Sequence, residues 1–411
     1  MKLLFDVREQ NRNVTGIGTY VRNLGRELRA LRRPGVECVC VPPGVPRPPT
    51  DGKPGRPATA RLANFARNLS WKQVYLPLRA AREKARVLVC LDPVSPLRSP
   101  VPTAIVIYDL IFLTGRAQSD AWTRYWRWLV PRCARRADLV FAPSRETRDR
   151  ITQQLGVPAD KVVVFRSGVA PHFRPLDPRV RQSAGGGTPP SFAGPLDPQA
   201  WGNPAPGSPS SVPGSIDLAA RETGAGARPP GLPERFLLTV GAHDPRRNLK
   251  AVLAALAALK ARGSLCHQLV AIGPRTPYFQ EILRETSRLG LERDVIFLDY
   301  VPNEELPLYY GLADLYLYPS LAEGFGLTPL EAMACGCPVV TSRVSSLPEV
   351  TGEAALTVNP SDPAELVRAV ERVLTDPSLR DELVRKGLER AGGFSWRSGA
   401  EDILEACLRL G

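Results

Sequence analysis

Short apolar runs alternate with segments of helical periodicity along almost the whole chain. The runs are rich in Val, Ile and Leu and predict strands, while the apolar residues between the first two runs, from Ile17 to Leu31, recur every three or four positions and predict a helix. The predicted strands are 3–5, 36–41, 87–91, 104–107 and 139–142, then 236–240, 269–272, 295–298, 315–318 and 339–341, with helices such as 249–259 and 281–289 between them. This alternation predicts doubly wound parallel sheets, which bind ligands beyond the carboxyl ends of their strands.

One segment, residues 183–233, interrupts the alternation. It contains 10 Gly, 11 Pro and 6 Ser, a composition that buries too little apolar surface to offset its chain entropy. We therefore expect a disordered linker between an N-terminal domain at 1–175 and a C-terminal domain at 234–390. A C-terminal helix at 391–411 can pack back toward the N-terminal domain. A chain of 411 residues is long enough for two or three domains of about 150 residues.

The net charge of +13 is unevenly distributed. Residues 1–175 carry all of the basic excess, and the rest of the chain holds more acidic than basic residues. A one-sided field of this kind suits a polyanion, an anionic membrane surface or a phosphate-bearing acceptor. The alternative is an arginine-rich genome, because Arg exceeds Lys throughout.

The stretch 122–136 interleaves aromatic residues with arginines. That pattern suits a membrane interface or a lipid-linked acceptor. The alternative is an ordinary helix that packs Trp122, Tyr125, Trp126 and Leu129 inward.

The sequence predicts a cytoplasmic protein with reduced thiols. The longest uncharged apolar stretch, 251–259, is far below the roughly 20 residues that cross a bilayer, and Lys2 and Asp6 leave no room for a signal-peptide core. The eight cysteines match neither a disulfide framework nor the usual zinc spacings. A peripheral position on the inner face of the membrane is compatible with the basic half.

Two glycine-containing loops follow predicted strands. Gly16 and Gly18 lie before the first helix and could let backbone N–H groups approach an anion, although the motif lacks the third glycine of a dinucleotide fingerprint and the lysine of a P-loop. The alternative is a tight turn. Gly241 begins the second loop, where the adjacent Arg246 and Arg247 suit a diphosphate. The alternative there is a solvated charge pair.

The most specific motif follows the strand that ends at Tyr318. A Gly-x-Gly loop leads into a predicted helix with Thr328 as N-cap and Pro329 at its first position, and Gly336 ends the helix. The free N–H groups at the helix start can hold a phosphate, while Glu331 in the first turn can accept hydrogen bonds from a ribose diol and Glu323 can reach a sugar hydroxyl.

The sequence from Glu323 to Glu331 resembles the Glu-x7-Glu signature of the retaining glycosyltransferases of family 4. Their GT-B fold has two Rossmann-like domains that face each other across a cleft. The resemblance extends over nearly the whole chain outside the linker, and it implies that 1–175 binds the acceptor and 234–390 the nucleotide sugar. It also implies that Glu331 holds the ribose and Glu323 contacts the donor sugar. The remaining donor-binding candidates are Gly16, Gly18, Gly241, Gly324, Phe325, Gly326, Leu327 and Thr328.

This sequence departs from the family pattern at two places. Arg247 stands where the family usually has Lys, and Tyr108 and Asp109 stand where it often has His-Asp near the reacting sugar. Tyr108 can still donate a hydrogen bond but supplies no cation at neutral pH. Three histidines and the lack of an Asp-x-Asp predict no metal site, and His243 is the histidine that we expect near the site.

These observations predict a glycosyltransferase that moves a sugar, such as a hexose or mannose, from a nucleoside diphosphate to a glycan or lipid-linked acceptor with retention. The catalytic candidates are Glu323, Arg246, Arg247, Asp109 and Tyr108, and neither a cofactor nor a metal is expected. Three alternatives stay open: an epimerase of the same fold, an inactive sugar-nucleotide sensor, and a basic protein that binds nucleic acid or an anionic surface. Donor base, donor sugar and acceptor are not specified by these residues.

Overall fold

The computed structural model describes residues 1–11, 16–41, 66–113, 121–177, 229 and 231–410. The described chain forms two compact units: the first contains Met1–Ala170, Glu323–Phe325 and Phe394–Gly411, and the second contains Pro171–Ala322 and Gly326–Gly393. Most of the predicted linker at 183–233 lies outside the described residues. Its described end belongs to the second unit, where Leu232 is buried.

The first unit is built on a six-stranded parallel sheet. Its strands are β1 (Lys2–Asp6), β2 (Glu37–Val41), β3 (Val87–Cys90), β4 (Thr103–Val106), β5 (Leu139–Ala142) and β6 (Val162–Val164). Its helices up to β6 include α1 (Gly16–Ala30), α2 (Leu76–Arg82), α3 (Ala121–Arg136) and α4 (Arg145–Leu155), and a π-helical turn at Trp71–Tyr75 leads into α2. The strand order is β2-β1-β3-β4-β5-β6. Every residue of β3, β4 and β5 is buried, as expected for a parallel sheet with helices on both faces.

The second unit repeats this architecture. Its strands are β7 (Phe236–Val240), β8 (Gln268–Ile272), β9 (Val295–Leu298), β10 (Leu315–Tyr318), β11 (Val339–Ser342) and β12 (Leu356–Val358). Its helices are α5 (Leu249–Ala261), α6 (Phe279–Arg288), α7 (Leu306–Leu312), α8 (Leu327–Ala334), α9 (Leu347–Thr351), α10 (Pro363–Thr375) and α11 (Pro377–Gly392). The order β12-β11-β10-β7-β8-β9 is that of a Rossmann sheet, with its topological switch point between β7 and β10.

The last helix, α12 (Trp396–Arg409), belongs to the first unit. Ser395 caps its start by accepting a hydrogen bond from the Ser398 amide. Arg166 forms an ion pair with Asp402 at 2.6 Å, and Arg166 O lies so close to Gly399 that a Cβ there would approach it to 2.0 Å. Residues 391 and 392, which the sequence assigns to this helix, are the end of α11 instead.

The predicted fold class, two doubly wound α/β halves, is confirmed. All ten predicted strands are present, and the structure adds the three-residue strands β6 and β12, which are too short for a periodicity argument. The amphipathic interpretation of α3 agrees with the side chains that are described: Tyr125 and Trp126 pack on the core and Leu129 is buried, whereas Trp128 is exposed under the Arg132 guanidinium. Within the described residues, no helix is both long and apolar enough to span a bilayer.

Candidate functional site

In the second unit, the chain leaves β7 in a tight turn that fixes two arginines. Asp244 caps a 3-10 turn over Pro245–Arg247 by accepting a hydrogen bond from the Arg247 amide. Asn248 then adopts a left-handed conformation (φ 58°) and starts α5. This turn lies at the carboxyl end of β7, beside the switch point where Rossmann sheets bind ligands.

The turn after β7 is tied to the loop after β10 by hydrogen bonds. The carbonyl of Arg246 accepts from the Leu321 amide at 2.8 Å and from the Ser320 hydroxyl at 3.1 Å. The side chain of Arg246 donates to the Ala322 carbonyl at 3.3 Å, and the Arg247 guanidinium lies 4.9 Å from the centre of the Tyr318 ring. The two loops that flank the switch point therefore form one connected structure that carries both arginines.

Helix α8 begins earlier than the sequence suggests. The expectation that Thr328 is the N-cap and Pro329 the first helical residue is wrong, because Gly326 is the N-cap and Leu327 the first residue. Gly326 has φ +117°, a conformation that a residue with Cβ rarely adopts, so the chain enters the helix two residues sooner than a Thr328 cap would allow. The amides of Leu327 and Thr328 therefore lie among the unsatisfied donors of the first turn, as anion binding requires.

The C-terminal end of α8 is as predicted. Gly336 has φ +73°, and the amides of Gly336 and Cys337 donate to the carbonyls of Met333 and Ala332, both at 3.0 Å. This pair of bonds is a Schellman motif, which ends a helix at a glycine.

Glu331 lies in the second turn of α8, not in the first, and it is buried with 6% of its surface exposed. Its carboxylate accepts a hydrogen bond from the Tyr310 hydroxyl at 3.3 Å. Burial raises the pKa of Glu331 to about 7, since desolvation outweighs that hydrogen bond. A buried carboxylate of this kind gains from a ligand that donates hydrogen bonds to it.

His243 lies in the turn after β7, but its ring is part of the aromatic core. It stacks on Phe279 with the ring centres 5.1 Å apart and meets Phe297 edge-on. Burial, together with the charge of Arg275, lowers the pKa of His243 to about 4. We therefore assign His243 a packing role as a neutral ring.

The peptide Glu323–Phe325 belongs to the first unit, and a carbonyl clamp holds it there. The carbonyl of Gly324 accepts hydrogen bonds from the Ser144 hydroxyl at 2.8 Å and from the Thr147 hydroxyl at 2.9 Å. A Cβ on Gly324 would come within 1.8 Å of the Tyr108 carbonyl oxygen, so only glycine fits. Sequence reasoning missed Ser144 and Thr147, although a Ser between a strand and a helical segment, as at Ser144, is a recognisable N-cap signal.

The Glu323–Phe325 peptide and the Tyr108–Asp109 turn beside it are both fixed by contacts within the first unit. Glu323 is buried, and the Phe325 ring meets the Tyr20 ring edge-on at 6.5 Å. The Tyr108 hydroxyl donates to the Leu91 carbonyl at 3.0 Å. The next residue, Asp109, is half-buried and accepts a hydrogen bond from the Ile111 amide.

Gly16 and Gly18 lie inside the first turn of α1, not in a loop before it. Gly16 is exposed, and a Cβ there would meet no atom within 4 Å. Residues 12–15, which precede this turn, lie outside the described residues. The glycines therefore stand at a helix start in the first unit, while Gly241, the arginines and Glu331 stand in the second.

A buried ionic cluster in the first unit is absent from the predictions made from the sequence. The Lys72 ammonium lies 2.6 Å from a carboxylate oxygen of Asp6, at the end of β1, and 2.6 Å from one of Asp92, just after β3. All three residues are at most 8% exposed. They are far apart in the sequence, so spacing gave no signal. Across the described ranges, no group of three or more His, Cys, Asp or Glu side chains could hold a metal ion.

Comparison with known proteins places these two units in one group of enzymes. Residues 14–173 match the family model "Glycosyltransferase Family 4", and residues 227–390 match "Glycosyl transferases group 1". The serotype-specific mannosyltransferase WbdA of Escherichia coli is 28% identical over 315 residues, which is 76% of this chain and 34% of WbdA. The chain spans less than half of the length of the curated relatives WbdA and O-antigen chain mannosyltransferase B.

Two solved structures share the whole fold at low identity. Sucrose-phosphate synthase from Thermosynechococcus elongatus has a TM-score of 0.68 at 19% identity, covering 100% of this chain and 99% of its own. Anabaena HepE, solved in complex with UDP and glucose, has a TM-score of 0.66 at 17% identity, covering 100% of both chains. With a family 4 match on its first half and a group 1 match on its second, the chain belongs to the GT-B glycosyltransferases of the family 4 type.

Proposed function

We propose that this chain transfers a sugar, a hexose such as mannose, from a nucleoside diphosphate to a glycan acceptor with retention at the anomeric carbon. The observation that carries the proposal is that a capped arginine turn follows β7 and helix α8, with Glu331 buried in it, follows β10, the two neighbouring strands at the second unit's switch point. The relationship to a mannosyltransferase supports the sugar class. The HepE complex supports a nucleoside diphosphate donor.

The chemistry of the site fits the three parts of such a donor. Ribose hydroxyls would donate to the Glu331 carboxylate and repay part of its desolvation. The diphosphate would meet Arg246, Arg247 and the amides of Leu327 and Thr328, which supply fixed positive charge and N–H donors. Glu323 would contact the sugar, as in the Glu-x7-Glu signature that the sequence resembles.

The proposed transfer step needs no metal ion. Negative charge that develops on the departing diphosphate is stabilised by the two arginines and the helix amides, which are preorganised by the bonds between the two loops. The acceptor enters on the face that the diphosphate leaves, so a diphosphate oxygen takes the acceptor proton and the product keeps the donor configuration. Glu323 orients the sugar in this scheme, and Tyr108 and Asp109 lie beside the peptide that carries Glu323.

Calorimetry with UDP and GDP tests the donor site. Wild-type protein should bind one of them, and Glu331→Ala should weaken binding about 10- to 150-fold, because a hydrogen bond to a charged group is worth roughly 1.5–3 kcal/mol. Glu285→Ala, which removes a partly exposed glutamate from α6, is the matched control and should bind like the wild type. Equal affinity in Glu331→Ala would remove Glu331 from the donor site.

Turnover separates a transferase from a sensor of sugar nucleotides. Slow release of UDP from UDP-glucose, or of GDP from GDP-mannose, supports the transferase, whereas thermal stabilisation by the same compounds without release supports the sensor. NMR of the transferred sugar reports its anomeric configuration. An inverted product would refute the retaining scheme.

A further inference from the structure

The Asp6–Lys72–Asp92 cluster stands at the switch point of the first sheet. The chain runs from β1 outward to β2 and returns to β3 on the other side of β1, so the carboxyl ends of β1 and β3 flank the point where the winding reverses. Asp6 is the last residue of β1, and Asp92 follows β3 by two residues. Doubly wound sheets place their functional groups at this point.

The three side chains are closely satisfied within the protein. Asp6 also accepts hydrogen bonds from the Arg8 amide at 3.1 Å and from the Trp71 indole at 3.3 Å, and Asp92 accepts one from the Val94 amide at 2.8 Å. The cluster is therefore not an open ligand site. It joins the ends of two strands and the turn that carries Lys72 into one rigid group.

Two features argue that this rigidity is maintained for function. Buried ion pairs are rarely more stabilising than apolar side chains of similar size, because both charges lose their hydration. Lys72 is also presented by a π-helical turn, Trp71–Tyr75, and the adjacent Trp71 and Lys72 both donate hydrogen bonds to Asp6. Such π-turns occur often at functional sites.

The cluster is linked to the Glu323–Phe325 peptide through residues of the first unit. Asp92 follows Leu91, whose carbonyl accepts the hydrogen bond of the Tyr108 hydroxyl. The backbone of Tyr108 in turn abuts Gly324, next to Glu323. A shift of the β3 end would therefore move the Tyr108–Asp109 turn and the peptide that packs on it.

We propose that Lys72 is a positioning residue for sugar transfer, which clamps Asp6 and Asp92 and so holds the Tyr108–Asp109 turn and the Glu323–Phe325 peptide in their reactive arrangement. This inference rests on the proposed function. Lys72 touches no substrate and acts through the strand ends. Its effect therefore belongs to kcat, whereas binding of the nucleotide belongs to the second unit.

The electrostatics of the cluster supply a second readout. Burial lowers the pKa of Lys72, but the charges of Asp6 and Asp92 outweigh it and the pKa lies well above the ordinary value. Burial raises the pKa of Asp92 to about 6. As pH falls through that value, Asp92 becomes neutral and the cluster loses the Lys72–Asp92 charge pair. The other ionisable groups around the cluster are Glu9, Cys90, Tyr108 and Cys133, with Arg8 stacked on Trp71.

The test compares Lys72→Met and Asp92→Asn with Lys2→Met. Lys2 is a matched control because it pairs with two carboxylates, Glu37 at 3.5 Å and Glu83 at 3.1 Å, but at the amino end of the same strand and partly exposed. Release of UDP from UDP-glucose, or of GDP from GDP-mannose, is followed at saturating donor from pH 5 to 8. Calorimetry measures the affinity for UDP and GDP in each variant.

We expect kcat to fall at least tenfold in Lys72→Met, with nucleotide affinity within twofold of the wild type and Lys2→Met unchanged. Asp92→Asn, which keeps an oxygen for the Val94 amide, should fold even if Lys72→Met does not. The decrease in kcat below about pH 6 that we expect for the wild type should be absent from this variant. Wild-type kcat and pH profile in Asp92→Asn would overturn the positioning role while leaving the proposed function intact. Wild-type protein that neither binds UDP or GDP nor consumes either donor would overturn both.

Discussion

Replacing Glu331 with Gln tests whether this buried carboxylate costs the protein stability. The side chain is 6% exposed and its pKa is raised from 4.5 to about 7. The folded state therefore holds the proton more tightly than the unfolded state does. Stability falls as pH rises through the interval between these two values, and the whole cost is present above pH 7.

The size of the effect follows from the two pKa values. A rise from 4.5 to about 7 corresponds to about 3 kcal/mol, which is nearly all present at pH 8 and falls below about 1 kcal/mol at pH 5. Glu331→Gln has no such titration. Its stability relative to the wild type should therefore improve by about 2.5 kcal/mol between pH 5 and pH 8. Any cost of burying the amide is the same at both pH values and cancels.

Urea unfolding at pH 5 and pH 8, followed by far-UV circular dichroism, measures this difference. Glu285→Gln is the control, because the Arg288 side chain beside it lowers the pKa of Glu285 and the group is partly exposed. It should show no gain at high pH. A relative stability of Glu331→Gln that is the same at both pH values would show that the carboxylate is not desolvated, and the argument for its role in ligand binding would lose its basis.

Three further predictions concern the arginines, the basic half and the linker. Arg246→Ala or Arg247→Ala should lower turnover about 10²–10³-fold with little change in the free energy of unfolding. EDTA should leave the wild-type rate unchanged, and inhibition by EDTA with rescue by Mn²⁺ would refute the metal-free scheme. The protein should sediment with vesicles that contain anionic lipid, because each basic group near the membrane surface contributes about 1 kcal/mol, and salt should release it. Equal binding to neutral vesicles would refute this prediction. Deletion of residues 183–228 with a short flexible tether retained should preserve the cooperative melting transition, whereas a deletion that also removes Leu232 should lower the melting temperature because that side chain is buried.

Apolar periodicity was sufficient to locate the strands, because a strand buried on both faces reads as a continuous Val, Ile and Leu run whatever packs against it. It located β5, β7, β9 and β10 to the residue. Helix boundaries were harder. The start of α8 depends on the left-handed conformation of Gly326, and a Thr-Pro pair two residues later is an equally good start signal in the sequence.

The residues that pair across the fold could not be found in this way. Asp6 and Lys72 are 66 positions apart, and Ser144 and Gly324 are 180 apart, so only the folded chain brings them together. No local sequence signal marks these residues, because a lysine in an amphipathic segment usually points to solvent. His243 shows the converse, because a histidine beside two arginines suggests a phosphate site in sequence but packs between phenylalanines in the structure.

The carboxyl ends of both sheets hold ionisable groups that are difficult to explain by stability alone. In the first unit Lys72 is buried between two aspartates at the end of β1, while Lys2, at the opposite end of the same strand, makes partly exposed pairs. In the second unit Glu331 is buried in α8, the helix that follows β10, with a raised pKa. Replacing the whole Asp6–Lys72–Asp92 cluster with apolar side chains of similar size would cost little or even stabilise the fold, whereas removing one partner alone would leave a buried charge unpaired. We therefore propose that these buried groups serve substrate binding and positioning rather than packing.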